Sequence, residues 1–315
     1  MKTRAILVMT MIVAGLSTLP SPAAAYVQTT TEAGAPSAWK TPCPKMEFSL
    51  GDPPPELDAQ GYLNAARAAG EAWSQAAFDG ADRCTNVIFT VVSVPEDAGQ
   101  VGMDYHNRLI FRQDEWCSDP LPEDGSCYDP SILALTSVFQ LTYSGEILDA
   151  DLEVNAHDFT WGDFVAHPED TSVQDFQGAI THEFGHVIGL DHTCFKPGEK
   201  FSDGKSKPRP NDNNGNPVPD CSESNLPAII TDATMYASAA SPSAEVGLRS
   251  LSPDDVQAAC EIYPVKANFV CLPPSGAYLV GGGGGCSYSA GPTKHDSIAG
   301  VLMLLVMAVV VRRRR

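Results

Sequence analysis

The sequence is poor in positive charge. It has 20 lysine and arginine residues against 39 aspartate and glutamate residues, with a formal net charge of −19. Lys2, Arg4 and four arginines stand at the two ends, which leaves the body with 14 basic and 39 acidic residues and a net charge of about −25. Because such a body repels phosphates, its composition excludes nucleic acid as a partner.

Internal repeats and Cys-x-x-Cys pairs are also missing, which excludes a repeat architecture and a cysteine-based structural zinc site. The nine cysteines instead include an even set of eight in the body, as expected of disulfides in an exported protein. The favoured pairs are close in sequence: Cys117 with Cys127, Cys194 with Cys221, and Cys260 with Cys271. The two other body cysteines are Cys43 and Cys84.

The N-terminus has the pattern of a signal peptide over residues 1–25. Lys2 and Arg4 precede an apolar run over residues 5–16, and Ala23 and Ala25 place small residues before a cleavage site at Tyr26. A transmembrane anchor is the alternative, but the apolar run is too short to span a bilayer.

The C-terminus ends in a second candidate processing segment. A glycine-rich linker over residues 273–297 contains Cys286, and an apolar run over residues 298–311 precedes four arginines. As a helix, this run would reach roughly 21 Å, against about 30 Å of hydrocarbon core. The segment 298–315 resembles the sorting tails of myxobacterial exported proteins, which implies processing or lipid attachment at Cys286. A plain membrane anchor is the alternative, and both readings place the protein at the outer-membrane surface or outside the cell.

Hydrophobic patterning predicts an irregular arm over residues 26–44 and one α+β domain over residues 45–272. The predicted strands cover residues 45–50, 87–92, 108–111, 132–139 and 147–154, and the second of them is expected to be buried on both faces. The predicted helices cover residues 62–78, 175–188 and 253–262, and a long loop covers residues 193–232. This order predicts a mixed sheet packed against two long helices.

One eleven-residue segment carries the chemistry. His182 and His186 are four apart in a predicted helix, so their imidazoles share one face, and Glu183 flanks them as a base would. Gly189 can end the helix and let the chain bring His192 back as a third ligand. A pair of core histidines is the alternative, but it leaves Gly189 and His192 unexplained. The pattern therefore predicts a zinc site with one open position.

His-Glu-x-x-His-x-x-Gly-x-x-His resembles the signature of the metzincin zinc proteases. The family also has a methionine turn beneath the metal, and Met235 is its counterpart here. Three further patches, at residues 251–256, 133–136 and 149–151, are most similar to the matrixins, and the resemblance covers roughly residues 46–264. The chain lacks the Pro-Arg-Cys-Gly switch of that family, and its arm is short for the family's propeptide.

The resemblance implies a metzincin-like fold, with a mostly parallel twisted sheet and residues 132–139 as its antiparallel edge strand. It implies one catalytic Zn²⁺ and an endopeptidase in which Glu183 moves a proton from zinc-bound water to the leaving amine. A protein or peptide substrate would pair with the edge strand. The alternatives are a catalytically silent surface adhesion module on the same frame and a zinc-dependent cell-wall amidase.

Two further groups of residues are weaker candidates. Oxygen side chains surround Gly215 as in a calcium loop, although the same residues also make ordinary turns. These side chains belong to Asp212, Asn214, Asn216 and Asp220. His157 and His167, with Asp158, are considered as a second zinc site, and surface histidines are the favoured interpretation.

Overall fold

In a computed structural model of the chain, the described residues are 25–49, 53–94, 100–118, 125, 127–198, 206–238, 241–271 and, for the backbone alone, 303–310. Residues 1–24 of the predicted signal peptide and the linker with Cys286 lie outside them. Among the described residues, no helix combines the length and the apolar character needed to cross a bilayer.

The chain forms ten strands and five helices in its described part. The strands are β1 (Val27–Gln28), β2 (Lys45–Ser49), β3 (Thr90–Val94), β4 (Asn107–Arg112), β5 (Ile132–Gln140), β6 (Ile147–Asn155), β7 (Thr160–Gly162), β8 (Val173–Asp175), β9 (Leu190–Asp191) and β10 (Met303–Val310). The helices are α1 (Ala59–Ser74), α2 (Phe176–Val187), α3 (Ala228–Thr231), α4 (Pro242–Gly247) and α5 (Pro253–Ile262).

The central sheet has the order β10-β5-β6-β4-β2-β3. β2 pairs in parallel with β3 and β4, and β4 pairs in parallel with β6. β5 is antiparallel to β6, and Gly145 turns the chain between them with a φ of +69°. The mixed, mostly parallel sheet with an antiparallel edge agrees with the α+β part of the predicted fold class.

Helices α1 and α2 pack on each other over the sheet. α1 buries its predicted apolar face, and the indole nitrogen of Trp73 donates a hydrogen bond of 2.7 Å to the carbonyl of Thr181 in α2. A Cβ at Gly70 would lie 2.8 Å from the Cβ of Phe89, so this helical glycine permits a close approach. All residues of α2 except Gln177 are buried, which places this helix inside the core.

Helix α2 begins at a network of charged side chains. Its N-cap Asp175 accepts a hydrogen bond of 2.8 Å from the amide of Gly178, and the guanidinium of Arg249 pairs with both Asp175 and Asp163. The amide of Asp175 donates to the buried carboxyl of Glu245 in α4 at 2.6 Å. These contacts fix the start of the helix that holds His182 and His186.

Several helix and strand bounds differ from prediction. α1 covers residues 59–74 instead of 62–78, because Asp58 caps it by accepting from the amide of Gly61. The strand predicted at residues 87–92 is β3, which begins at Thr90 and lies at a sheet edge. Thr90 and Ser93 are exposed there, so the expectation of burial on both faces is wrong.

The predicted arm is part of the body. Its strand β1 pairs with β9, and the amides of Ala25 and Tyr26 donate to the carboxylate of Asp254 in α5 at 2.6 and 3.1 Å. The tail differs from prediction as well, since part of its apolar run forms β10 instead of a helix. β10 lies antiparallel to β5 from Met303 opposite Gln140 to Val310 opposite Ile132, so β5 is not the edge strand.

Four disulfides crosslink the described part of the chain. The disulfides Cys117–Cys127 and Cys194–Cys221 confirm two predicted pairs, whereas the prediction that Cys260 pairs with Cys271 is wrong. Cys260 bonds Cys84 and Cys271 bonds Cys43, closing sequence separations of 176 and 228 residues. The reason is tertiary: the amide of Asn86 donates to the carbonyl of Tyr263, which brings the chain after α1 beside α5. Multiple disulfides indicate an extracellular or exported protein.

Glu245 makes stability depend on pH. Burial raises its pKa to about 8, and the nearby Asp175 carboxylate adds to the increase. An unfolded glutamate titrates at about 4.3, so between these values the unfolded chain loses a proton that the folded chain keeps. Glu245 therefore lowers the stability of the fold as the pH rises from about 4 to about 8.

We expect Glu245→Gln to remove this dependence, because glutamine stays neutral. Relative to wild type, the unfolding free energy of the variant should rise by up to about 3 kcal/mol between about pH 4 and pH 7, measured by urea denaturation. Glu71→Gln, at an exposed position on α1, is the control and should show no such rise. Parallel pH profiles for E245Q and wild type would contradict the prediction.

Candidate metal centre

Three histidines meet in the interior of the protein. His182 and His186 lie on α2, one helical turn apart, and His192 follows β9. The Nε2 atom of His192 lies 3.3 Å from that of His182 and 3.2 Å from that of His186. All three side chains are buried, and in the described part of the chain they form the only cluster of three or more histidine, cysteine or acidic residues spaced to hold a metal ion.

The spacing of the nitrogens fits a tetrahedral ion. Three nitrogens at about 2.0–2.1 Å from one ion, with tetrahedral angles, are separated by about 3.3 Å. The two measured separations of Nε2 atoms match that value without any movement of the side chains. Three protein ligands leave a fourth position open. The residues present therefore fit a metal ion that can still take a water or substrate.

Hydrogen bonds to the backbone orient two of the rings. The Nδ1 of His182 lies 2.6 Å from the carbonyl oxygen of Thr234, and the Nδ1 of His186 lies 2.8 Å from that of Leu190. A carbonyl can only accept, so each Nδ1 carries the proton and each Nε2 presents its lone pair to the centre. This arrangement is typical of histidines that bind a metal.

Burial also keeps the histidines neutral. It lowers the pKa of His186 to about 3, and it lowers the pKa values of His182 and His192 well below the ordinary value. A neutral imidazole can donate its lone pair to a metal, whereas a protonated one cannot. The three rings are therefore in the ligand form across the physiological range.

Gly189 lets the chain turn after α2, so that His192 lies next to His182 and His186. It ends α2 with a φ of +91°, where a side chain would be strained, and its amide donates to the carbonyl of His186 at 2.9 Å. A Cβ at Gly189 would also lie 2.4 Å from the carbonyl oxygen of Ser37 in the arm. The predicted role of this glycine is thus met by both its backbone conformation and its packing.

Met235 lies directly against α2. A Cβ at Gly185 would lie 2.1 Å from the sulfur of Met235, so a larger residue there would displace the Met235 side chain. The amides of Thr234 and Met235 donate to the buried carboxylate of Asp255 in α5, at 2.7 and 3.2 Å. The same carboxylate accepts from the amide and hydroxyl of Ser252 and closes the capping box of α5.

Glu183 directly follows His182 on α2, and its side chain is buried. Its Oε2 accepts a hydrogen bond of 2.5 Å from the hydroxyl of Thr136 on β5, and its Oε1 is buried with no hydrogen-bond partner among the described residues. Burial raises the pKa of Glu183 to about 8, and the bond from Thr136 opposes the increase. One oxygen is thus held by β5, and the other has no hydrogen-bond partner among the described residues.

The remaining predicted site residues that the structure describes are not members of the histidine cluster. Asp212 accepts from the amides of Asn214 and Asn216, and Asp220 accepts from Ser222, as in ordinary Asx turns. Calcium at this loop stays a prediction. His157 and His167 are exposed, in keeping with surface histidines.

Sequence reasoning missed three supports of the site. Thr136 belongs only to a matrixin-like patch of the sequence, and Asp255 is predicted to stabilise the positive end of α5 but not to contact the methionine turn. Trp39 was not singled out, yet its indole nitrogen donates to the carbonyl of Val187 at 2.8 Å, at the end of α2. Each contact joins elements distant in the chain, and a local pattern does not report such contacts.

Comparison with known proteins assigns the chain to no family, because neither a scan against protein-family models nor a search of curated proteins finds a match.

We expect His192→Ala to weaken Zn²⁺ binding by more than about 100-fold, because two imidazoles cannot replace three ligands. The measurement is competition with a chromophoric chelator at pH 7. His157→Ala, which removes an exposed histidine, is the matched control and should bind as wild type does. Equal affinities for the two variants would show that the metal binds elsewhere.

Proposed function

We propose that this protein is an exported zinc-dependent endopeptidase of the matrixin-like metzincin type. The observation that carries the proposal is the convergence of three buried imidazoles, with the Nε2 of His192 at tetrahedral spacing from the other two and the buried carboxyl of Glu183 next to His182 in sequence. Histidine nitrogens suit zinc, and three ligands with an open position are typical of a catalytic site instead of a structural one.

Zinc bound by three neutral histidines would lower the pKa of a water and polarise a substrate carbonyl. The protein's part is to hold the ligands and to move the proton. Oε1 of Glu183 accepts a proton from the attacking water and then passes it to the leaving amine, while Thr136 keeps the other oxygen in place. A raised pKa suits a group that must both take and give a proton near neutral pH.

Strand β5 bears on how a peptide would bind. It carries Thr136, so it passes close to Glu183, and a peptide in extended form could pair with its outer edge. That edge pairs with β10 in the structure, so a substrate must take the place of β10 there. The proposal therefore includes competition between the C-terminal segment and the substrate for β5.

The disulfides support a site of action outside the cytoplasm. We propose that the protein works at the cell surface or beyond it. The predicted signal peptide, the tail and Cys286 would then determine export and attachment. Zinc-dependent peptide cleavage and surface location together describe a protease that acts on extracellular or surface proteins.

We expect Glu183→Gln to lower kcat/KM for peptide cleavage by about 10²–10⁴-fold, because glutamine cannot carry the proton. Metal content should stay at the wild-type level, since the three ligands are unchanged. The measurements are cleavage of a quenched fluorescent peptide library and metal analysis of the same samples. Glu71→Gln serves as the control for an exposed carboxylate.

A chelator should abolish cleavage by the wild-type protein, and added Zn²⁺ should restore it. Zinc-loaded wild-type protein that cleaves no peptide would contradict the proposal and favour a silent binding module. Cleavage that persists in E183Q would mean that another group moves the proton.

A further inference from the structure

A large cavity opens beside the metal centre, on the side of His192. Its volume is about 640 Å³, and His192 forms part of its wall. The arm lines one side, from Gln28 to Gly34, and the long loop after β9 lines the other. A cavity that shares a wall with a metal ligand lies where residues next to a cleaved bond would bind.

The cavity carries an unusual share of positive charge for this protein. Lys196, Lys207 and Arg209 line it, and they are three of only 14 basic residues in the body. Two acidic residues also line it, Glu32 and Asp191. The carboxylate of Asp191 accepts from the amide of His192 at 2.8 Å, so part of its charge is already engaged.

The fold holds these cations in place. The Nζ of Lys196 donates to the carbonyl of Ala237 at 3.0 Å, next to the methionine turn. The guanidinium of Arg209 lies 5.7 Å from the centre of the Phe195 ring. Phe195 follows Cys194 of the Cys194–Cys221 disulfide, and its amide donates to the carbonyl of Pro219 at 2.8 Å.

We propose that this cavity is a substrate subsite for a carboxylate, so that the protein prefers peptides with an acidic group near the cleaved bond. The inference rests on the proposed protease function and adds a substrate class to it. A body with a net charge of about −25 repels acidic peptides in general. Lys196, Lys207 and Arg209 place positive charge in the wall of the cavity, where it can attract a correctly placed carboxylate.

Two sources offer the same chemistry: an aspartate or glutamate side chain, or the C-terminal carboxylate of a short peptide. The test uses peptide pairs that differ only by Glu or Gln at each position within three residues of the cleaved bond. A second set has a free or an amidated C-terminus. Preference in the first set identifies a side-chain subsite, and preference in the second alone identifies a terminal-carboxylate subsite.

We expect the full-length wild-type protein to show about tenfold higher kcat/KM for the acidic member of a pair at one position. The preference should weaken as salt is raised, since screening reduces charge attraction. Lys207→Glu and Arg209→Glu should each reduce or invert the ratio of kcat/KM for the acidic peptide to kcat/KM for its neutral partner. Lys266→Glu is the matched control, because it reverses an exposed charge outside the cavity.

Binding provides a second readout that does not need turnover. Zinc-loaded E183Q protein should bind the acidic peptide about tenfold tighter than its neutral partner in fluorescence anisotropy. Equal binding and equal cleavage of every pair would overturn the subsite while leaving the protease proposal intact. Selective binding of the acidic peptide without cleavage by wild type would overturn the protease proposal and keep the carboxylate site.

Discussion

The contact between helix α2 and the turn around Met235 is the constraint on which the site depends. Gly185 has no side chain, and the sulfur of Met235 occupies the space where its Cβ would be. Thr234 lies in the same turn as Met235, and its carbonyl accepts a hydrogen bond that orients the ring of His182 on α2. Asp255 of α5 holds both turn amides, so three elements that are far apart in the chain share one junction. A shift of any one of them would move a histidine of the candidate metal centre.

The rest of the fold supports this junction from outside. Arg249, Asp175 and Glu245 fix the start of α2, and Trp39 and Tyr263 donate to the carbonyls of Val187 and Ile188 at its end. The disulfides tie the arm to the chain after α5, tie the chain after α1 to α5, and crosslink the long loop within itself. Preorganisation of this kind places the ligands before a metal arrives, which reduces the cost of binding.

Local patterns in the sequence predicted the parts of the structure that depend on local physics. Ligand spacing on α2 follows from the helical repeat, Gly189 from the need for a positive φ, and α5 from its Ser252 cap. Other features depend on distant partners. The pairing of Cys43 with Cys271, the place of β10 beside β5, and the bond from Thr136 to Glu183 each join segments that no short pattern connects. The basic cavity was missed for the same reason, since its cations meet the arm only in the folded chain.

The most direct test of the central claim is diffraction from crystals of the exported protein, purified without added metal, with data collected on both sides of the zinc absorption edge. We expect one strong anomalous peak per chain, about 2.0–2.1 Å from the Nε2 atoms of His182, His186 and His192, with a non-protein oxygen as the fourth ligand. An absent peak, a peak at other residues, or a fourth ligand from the protein itself would contradict the account.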